Sequence, residues 1–94
     1  MGAFFNEVGD DIQQFTAFGA DIDLASAAIS PMGPTRGHAR EIYVDNAGAG
    51  TLAVTLTGSA GTVRTLTVAT GDRLQGKFLE INIGTTVTRI TVTW

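Results

Sequence analysis

The stretch Thr51-Leu52-Ala53-Val54-Thr55-Leu56-Thr57 decides the fold. Its period is two: Leu52, Val54 and Leu56 fall on one face and the threonines on the other, the pattern of a half-buried strand. Threonine is β-branched and suits a pleated, half-exposed surface, which accounts for its frequency in this part of the chain. Working outward, Arg40-Glu41-Ile42-Tyr43-Val44 reads as a preceding strand with Ile42 and Val44 inward. Asp45-Asn46-Ala47-Gly48-Ala49-Gly50 turns the chain with residues that tolerate positive φ. Gly58-Ser59-Ala60-Gly61 supplies a second turn, so 51–57 and 62–69 are expected to form a hairpin. Strand 62–69 changes phase, because Val63 is odd while Leu66 and Val68 are even; a bulge or two-sided burial would explain it. After Thr70-Gly71-Asp72, a strand runs from Leu74 to Ile83. Gly76 is placed to bend it, and Leu79, Ile81 and Ile83 face one way. Gly84-Thr85 leads to a last strand, Val87 to Trp94, with Ile90, Val92 and Trp94 on one face and Trp94 at an edge or end of the sheet. Five strands with turns about every ten residues predict an all-β fold, a small antiparallel β-sandwich or barrel.

Residues 1–38 read differently, as an arm and linker ahead of a body at 39–94. Phe4, Phe5, Val8, Ile12 and Phe15 fall at helical spacing and allow an amphipathic helix, which Gly2, Gly9, Gly19 and the alternation at 21–24 weaken. The expectation is an irregular or partly helical arm. Ser30-Pro31-Met32-Gly33-Pro34 continues neither helix nor sheet and marks the linker. A 94-residue chain has little interior for these phenylalanines. They are expected either to cover an open end of the barrel or to bury against a partner. The candidate interface residues are therefore Phe4, Phe5, Val8, Ile12, Phe15, Phe18 and Trp94.

Charge divides the same way. Residues 1–35 hold Glu7, Asp10, Asp11, Asp21 and Asp23 with no Lys or Arg, whereas the remainder holds all six basic residues against Glu41, Asp45, Asp72 and Glu80. The first segment thus carries about −5 and the rest about +2, which reads first as two solvated faces of different composition and, more sharply, as docking of the acidic segment on the basic body of a neighbouring copy or on another protein. Nucleic acid is not an expected partner, since the cations are scattered and no aromatics interleave them. Nor is a membrane: no apolar run approaches the ~20 residues of a span. A secretory signal is not expected either, because acidic residues follow Phe4 and Phe5 directly.

Chemistry-bearing patterns are sparse. The absence of Cys removes thiolate metal sites, disulfides and a Cys nucleophile. His38 is the single histidine, and a transition-metal site built on it would need carboxylates for every other ligand. The serines lie in the arm and a tight turn, with no Gly-x-Ser-x-Gly elbow. The arm aspartates do not match a calcium loop, and Gly48-x-Gly50 precedes a strand where a phosphate loop would precede a helix. Glu41, Asp72 and Glu80 show no spacing that marks a glycosidase pair. The expectation is a non-enzymatic protein with no catalytic, metal or cofactor residues.

The run Arg40-Glu41-Ile42-Tyr43-Val44, then Ala47-Gly48 and Leu52-Ala53-Val54-Thr55-Leu56, resembles the opening of a family of small virion proteins of tailed bacteriophages. Gly61-Thr62-Val63, Val68-Ala69-Thr70-Gly71-Asp72, Gly84-Thr85-Thr86 and Trp94 are similar to the rest of that pattern, so the resemblance covers about residues 36–94. It departs at Leu74-Gln75-Gly76-Lys77, where the pattern leads one to expect proline. The resemblance implies a capsid decoration or cement protein on the virion surface. Its implied partners are the major capsid protein and copies of itself, as a dimer or trimer. A tail, fibre or spike role is the alternative within the virion, and a carbohydrate-binding module the alternative outside it. The latter would need an aromatic platform, for which the body offers Tyr43 and Trp94.

Overall fold

The computed structural model describes residues 11–58 and 61–94. They form seven strands and one short helix: β1 (Ile12–Phe15), β2 (Ile22–Asp23), α1 (Met32–Arg36), β3 (Ala39–Asn46), β4 (Thr51–Leu56), β5 (Val63–Thr67), β6 (Arg73–Ile81) and β7 (Arg89–Thr93). All pairings are antiparallel and join one sheet of order β1-β7-β3-β6-β4-β5. β2 lies off this path, pairing Ile22 with Ile81 and Asp23 with Glu80 near the end of β6. The all-β antiparallel expectation holds, with two strands more than the five expected.

Both additional strands come from the segment expected to be an arm. Ile12–Phe15 is a strand and not part of a helix, with Ile12 opposite Thr93 and Phe15 opposite Ile90. The reason is β7, whose outer edge would otherwise present unpaired backbone groups; β1 supplies their partners. Trp94 extends the ladder by donating its backbone N–H to the Asp11 carbonyl at 2.9 Å. β7 is consequently an interior strand of the sheet, and Trp94 is not at an edge. The linker also differs from expectation, because α1 forms within it. Pro31 stands at the N-cap position without a side-chain cap bond, and Ser30 Oγ accepts from the Met32 N–H at 3.1 Å. Pro34 stands in the first turn, where a missing N–H costs little. Gly37 closes it in the left-handed region (φ 76°), donating its N–H to Gly33 O at 2.7 Å. Gly33 is fixed by crowding, since a Cβ there would sit 2.8 Å from the Ser26 carbonyl oxygen.

One core cluster gathers Ile42 and Val44 from β3, Leu52 and Val54 from β4, Phe78 and Ile81 from β6, Ile90 and Val92 from β7, and Trp94. Leu24, from the segment ahead of the expected body, is fully buried among them. The indole N–H of Trp94 donates to the Leu24 carbonyl at 2.6 Å, tying the chain's last residue to this segment. The clean alternation expected in β4 is only half the picture, because Ala53 and Thr55 on its other face are buried too. The loop after β6 covers them: Ala53 N–H donates to Thr85 Oγ1 at 3.0 Å, and Thr55 Oγ1 to Asn82 Oδ1 at 2.8 Å.

β6 also departs from its expected phase. Between the pairs Ala39–Phe78 and Glu41–Gln75, β3 advances two residues and β6 three, a bulge that includes Gly76. A second shift against β4, from Thr55–Glu80 to Leu56–Phe78, places an extra residue at Leu79. Phe78 and Ile81 therefore point inward, Leu79 is half-buried, and Ile83 lies beyond the strand and is 58% exposed.

Candidate interaction surface

β5 is the sheet's outermost strand on the side opposite β1, and each of its five residues is exposed. Its register against β4 is continuous from Thr51–Thr67 to Thr55–Val63. Neither a bulge nor two-sided burial explains its phase change. β5 instead carries apolar side chains on both faces without covering them: Val63 is 47% and Leu66 37% exposed. Beside it opens an apolar groove of about 460 Å³, lined by Leu56, Leu66, Leu74 and Phe78 and rimmed by Arg73, Gln75 and Lys77. The bulge at Gly76 helps shape this groove. The glycine forms part of the lining, and a Cβ there would press to 3.4 Å from the Phe78 ring.

The cations of this region differ in their commitments. Arg73 is held at 2.8 Å from Glu41 Oε1, with its guanidinium 4.8 Å from the centre of the Tyr43 ring. Arg89 stands 3.8 Å from Asp45. Arg64 on β5 and Lys77 on β6 are exposed and form no ion pair among the described residues. A second hollow, also about 460 Å³, is polar and lined by Arg40, Glu41, Gln75 and Thr93. Its carboxylate is already engaged, because Glu41 accepts hydrogen bonds from Arg73 and Gln75.

Of the interface candidates, Phe4, Phe5 and Val8 lie outside the described residues. Ile12 is half-buried on β1, and Phe15 and Phe18 pack against the chain's own core. Trp94 is fully buried, so its side chain fills the interior and presents no surface to a partner. Of the two aromatics considered for a sugar platform, Trp94 lies inside, and Tyr43 is half-buried with the Arg73 guanidinium over its ring. Asp11, Asp21 and Asp23, the arm's aspartates among the described residues, are turned to their own chain. Asp11 Oδ2 accepts from Ser30 Oγ at 2.7 Å and Gln13 Nε2 at 2.8 Å, Asp21 Oδ1 from the Ile83 N–H, and Asp23 Oδ1 from the Ala25 N–H. His38 is half-buried, and no group of three His, Asp or Glu side chains able to hold a metal occurs among the described residues.

The residues of this candidate surface that sequence reasoning did not single out are Leu66, Val63, Leu74 and Lys77. The signal for the first two was present: apolar residues of opposite parity on one short strand mark a strand with no single face to bury. The class defined by these features is an all-β protein, one antiparallel sheet around one core, with an uncovered apolar edge. Comparison with family models, curated proteins and solved structures finds no match for this chain.

Proposed function

We propose that this protein is a non-enzymatic structural component of a bacteriophage virion, a capsid cement or decoration protein bridging major capsid subunits. The observation that carries an interaction role is the uncovered β5 edge with its adjoining apolar groove, displayed on a body whose strands are pinned to a single core. An exposed apolar edge of this kind invites pairing with another chain, and single-domain proteins ordinarily blunt or cover it. A cement protein needs that combination: a rigid support and adhesive surface, repeated over many copies, with no bond made or broken. The capsid assignment itself rests on the resemblance over residues 36–94.

The test is co-assembly. The protein is mixed with shells of the major capsid protein encoded beside it and sedimented. Saturable co-sedimentation, and shells that withstand higher temperature when decorated, are expected. Absence of binding to mature shells, together with recovery in isolated tails, would replace this reading with the tail alternative.

A further inference from the structure

We propose that residues 1–10 fold back on their own chain and seat Phe4 and Phe5 in the groove between β6 and β4, closing it in the free protein. The groove exists because β4 runs beside only part of β6. Over 73–75 β6 pairs with β3, but on its other side the contact with β4 begins at Lys77, whose carbonyl accepts the Thr57 N–H at 3.0 Å. Among the described residues no strand continues the line of β4 past that point. Leu56, Leu66, Leu74 and Phe78 line the gap, and Arg73 and Lys77 make its rim cationic. Residues 1–10 have the complementary chemistry: Phe4, Phe5 and Val8 with Glu7 and Asp10, and no Lys or Arg. Apolar anchors flanked by opposite charge are what a specific docking segment presents to such a groove.

The register of the sheet brings this segment to the groove. Ile12, Thr93, Glu41 and Gln75 stand in one row across β1, β7, β3 and β6. Asp11, one residue further, is therefore level with Arg40 and with the Gly76 bulge that forms part of the groove. From β1, β6 is three strand steps away and β4 four, about 14 and 19 Å at ~4.8 Å per step. Phe5 and Phe4 precede Asp11 by six and seven residues, which span up to ~21 and ~25 Å when extended. Both rings reach the space between β6 and β4. Glu7, four residues before Asp11, spans up to ~14 Å and comes level with β6, where Lys77 stands on the rim. The polar hollow at Thr93, Arg40, Glu41 and Gln75 lies on this path, and Gln75 borders both it and the groove. The tether also selects the chain's own segment over a second copy. A short link gives an effective concentration in the mM range, which a separate chain matches only when the protein itself is that concentrated. A foreign partner has to displace the segment from the groove, whereas the outer edge of β5 takes no part in the contact.

A nitroxide probe on the full-length chain tests this. The chain has no cysteine, so Ala3→Cys gives a single attachment point beside the two rings. In dilute, isotope-labelled protein carrying the probe, the amide signals of Leu74, Gly76 and Phe78 should be lost to paramagnetic broadening and return when the nitroxide is reduced. Those of Gly48 and Gly50, past the far end of β3, should keep their intensity. Adding Phe4→Ser/Phe5→Ser, which removes the anchors, should recover most of the lost signal. So should Leu66→Glu, which blocks the groove at an exposed side chain. Lys77→Glu should recover part of it, and Glu7→Lys in the same chain should bring the broadening back. A mixture of probe-bearing unlabelled chains with labelled chains lacking the probe should show no loss. Broadening in that mixture as strong as within one chain assigns the segment to a second copy and overturns the proposal. An absence of broadening within the chain, which leaves the groove to a foreign partner, overturns it too, as does broadening that Phe4→Ser/Phe5→Ser and Leu66→Glu both leave intact. The experiment contains no capsid, so its outcome is independent of shell binding.

Discussion

Replacing Trp94 with phenylalanine tests whether the first third of the chain belongs to the body's core. The indole is fully buried, and its N–H is given to the Leu24 carbonyl at 2.6 Å. Phenylalanine keeps most of the apolar contact but leaves that carbonyl without this donor, at a cost of about 1–3 kcal/mol. The smaller ring also leaves a void, which adds on the order of 1 kcal/mol. Together these give about 2–4 kcal/mol, a large fraction of the stability of a domain this size. Each kcal/mol lowers Tm by roughly 4–8 °C for a chain of this length. Thermal unfolding followed by far-ultraviolet circular dichroism should therefore show Trp94→Phe melting at least ~8 °C below the wild type. The wild-type protein's only tryptophan should also emit at short wavelength when native and shift to the red on unfolding. A Tm within ~2 °C of wild type, or native emission typical of water-exposed indole, would refute the assignment of Trp94 and Leu24 to one core.

Gly33→Ala should destabilise by more than about 1 kcal/mol in urea titration, because the new methyl meets the Ser26 carbonyl at 2.8 Å and backbone must move. Thr55→Val should cost about 1–2 kcal/mol by the same assay, since it removes the buried hydroxyl that donates to Asn82 Oδ1. Ile83→Ser, at a side chain 58% exposed, should leave the urea midpoint nearly unchanged, within about 0.5 kcal/mol. That result would contrast with Ile81→Ala, where a fully buried side chain is lost and about 2–5 kcal/mol should go with it.

The strands from Ala39 onward were legible because β3, β4 and β7 carry a short period-two signal and Gly, Asn or Asp marks the turns between the strands. What sequence alone did not reveal depends on which elements meet. Ile12–Phe15 is compatible with helical spacing and with a strand, and the open edge of β7 decides between them. The phase of β6 was misread past Lys77 because an extra residue at Leu79 switches the inward side chains from even (Leu74, Phe78) to odd (Ile81), and nothing in Leu-Glu-Ile announces it. Trp94 was assigned to an interface from its position at the end of a strand, yet β1 flanks that strand and Leu24 closes over the ring. The candidate surface was half visible. Val63 and Leu66 betrayed a strand without a buried face, but the groove beside it depends on the Gly76 bulge and on β6 lying next to β4.

Hydrogen exchange at two protein concentrations tests most directly whether the β5 side of the sheet is an adhesive surface. Wild-type amides over 63–67 and 73–78 should exchange faster in dilute solution than at high concentration, while those of β3 and β7 remain protected in both. Equal exchange of the β5 and β6 amides at every concentration, in a protein that is otherwise folded, would contradict the account.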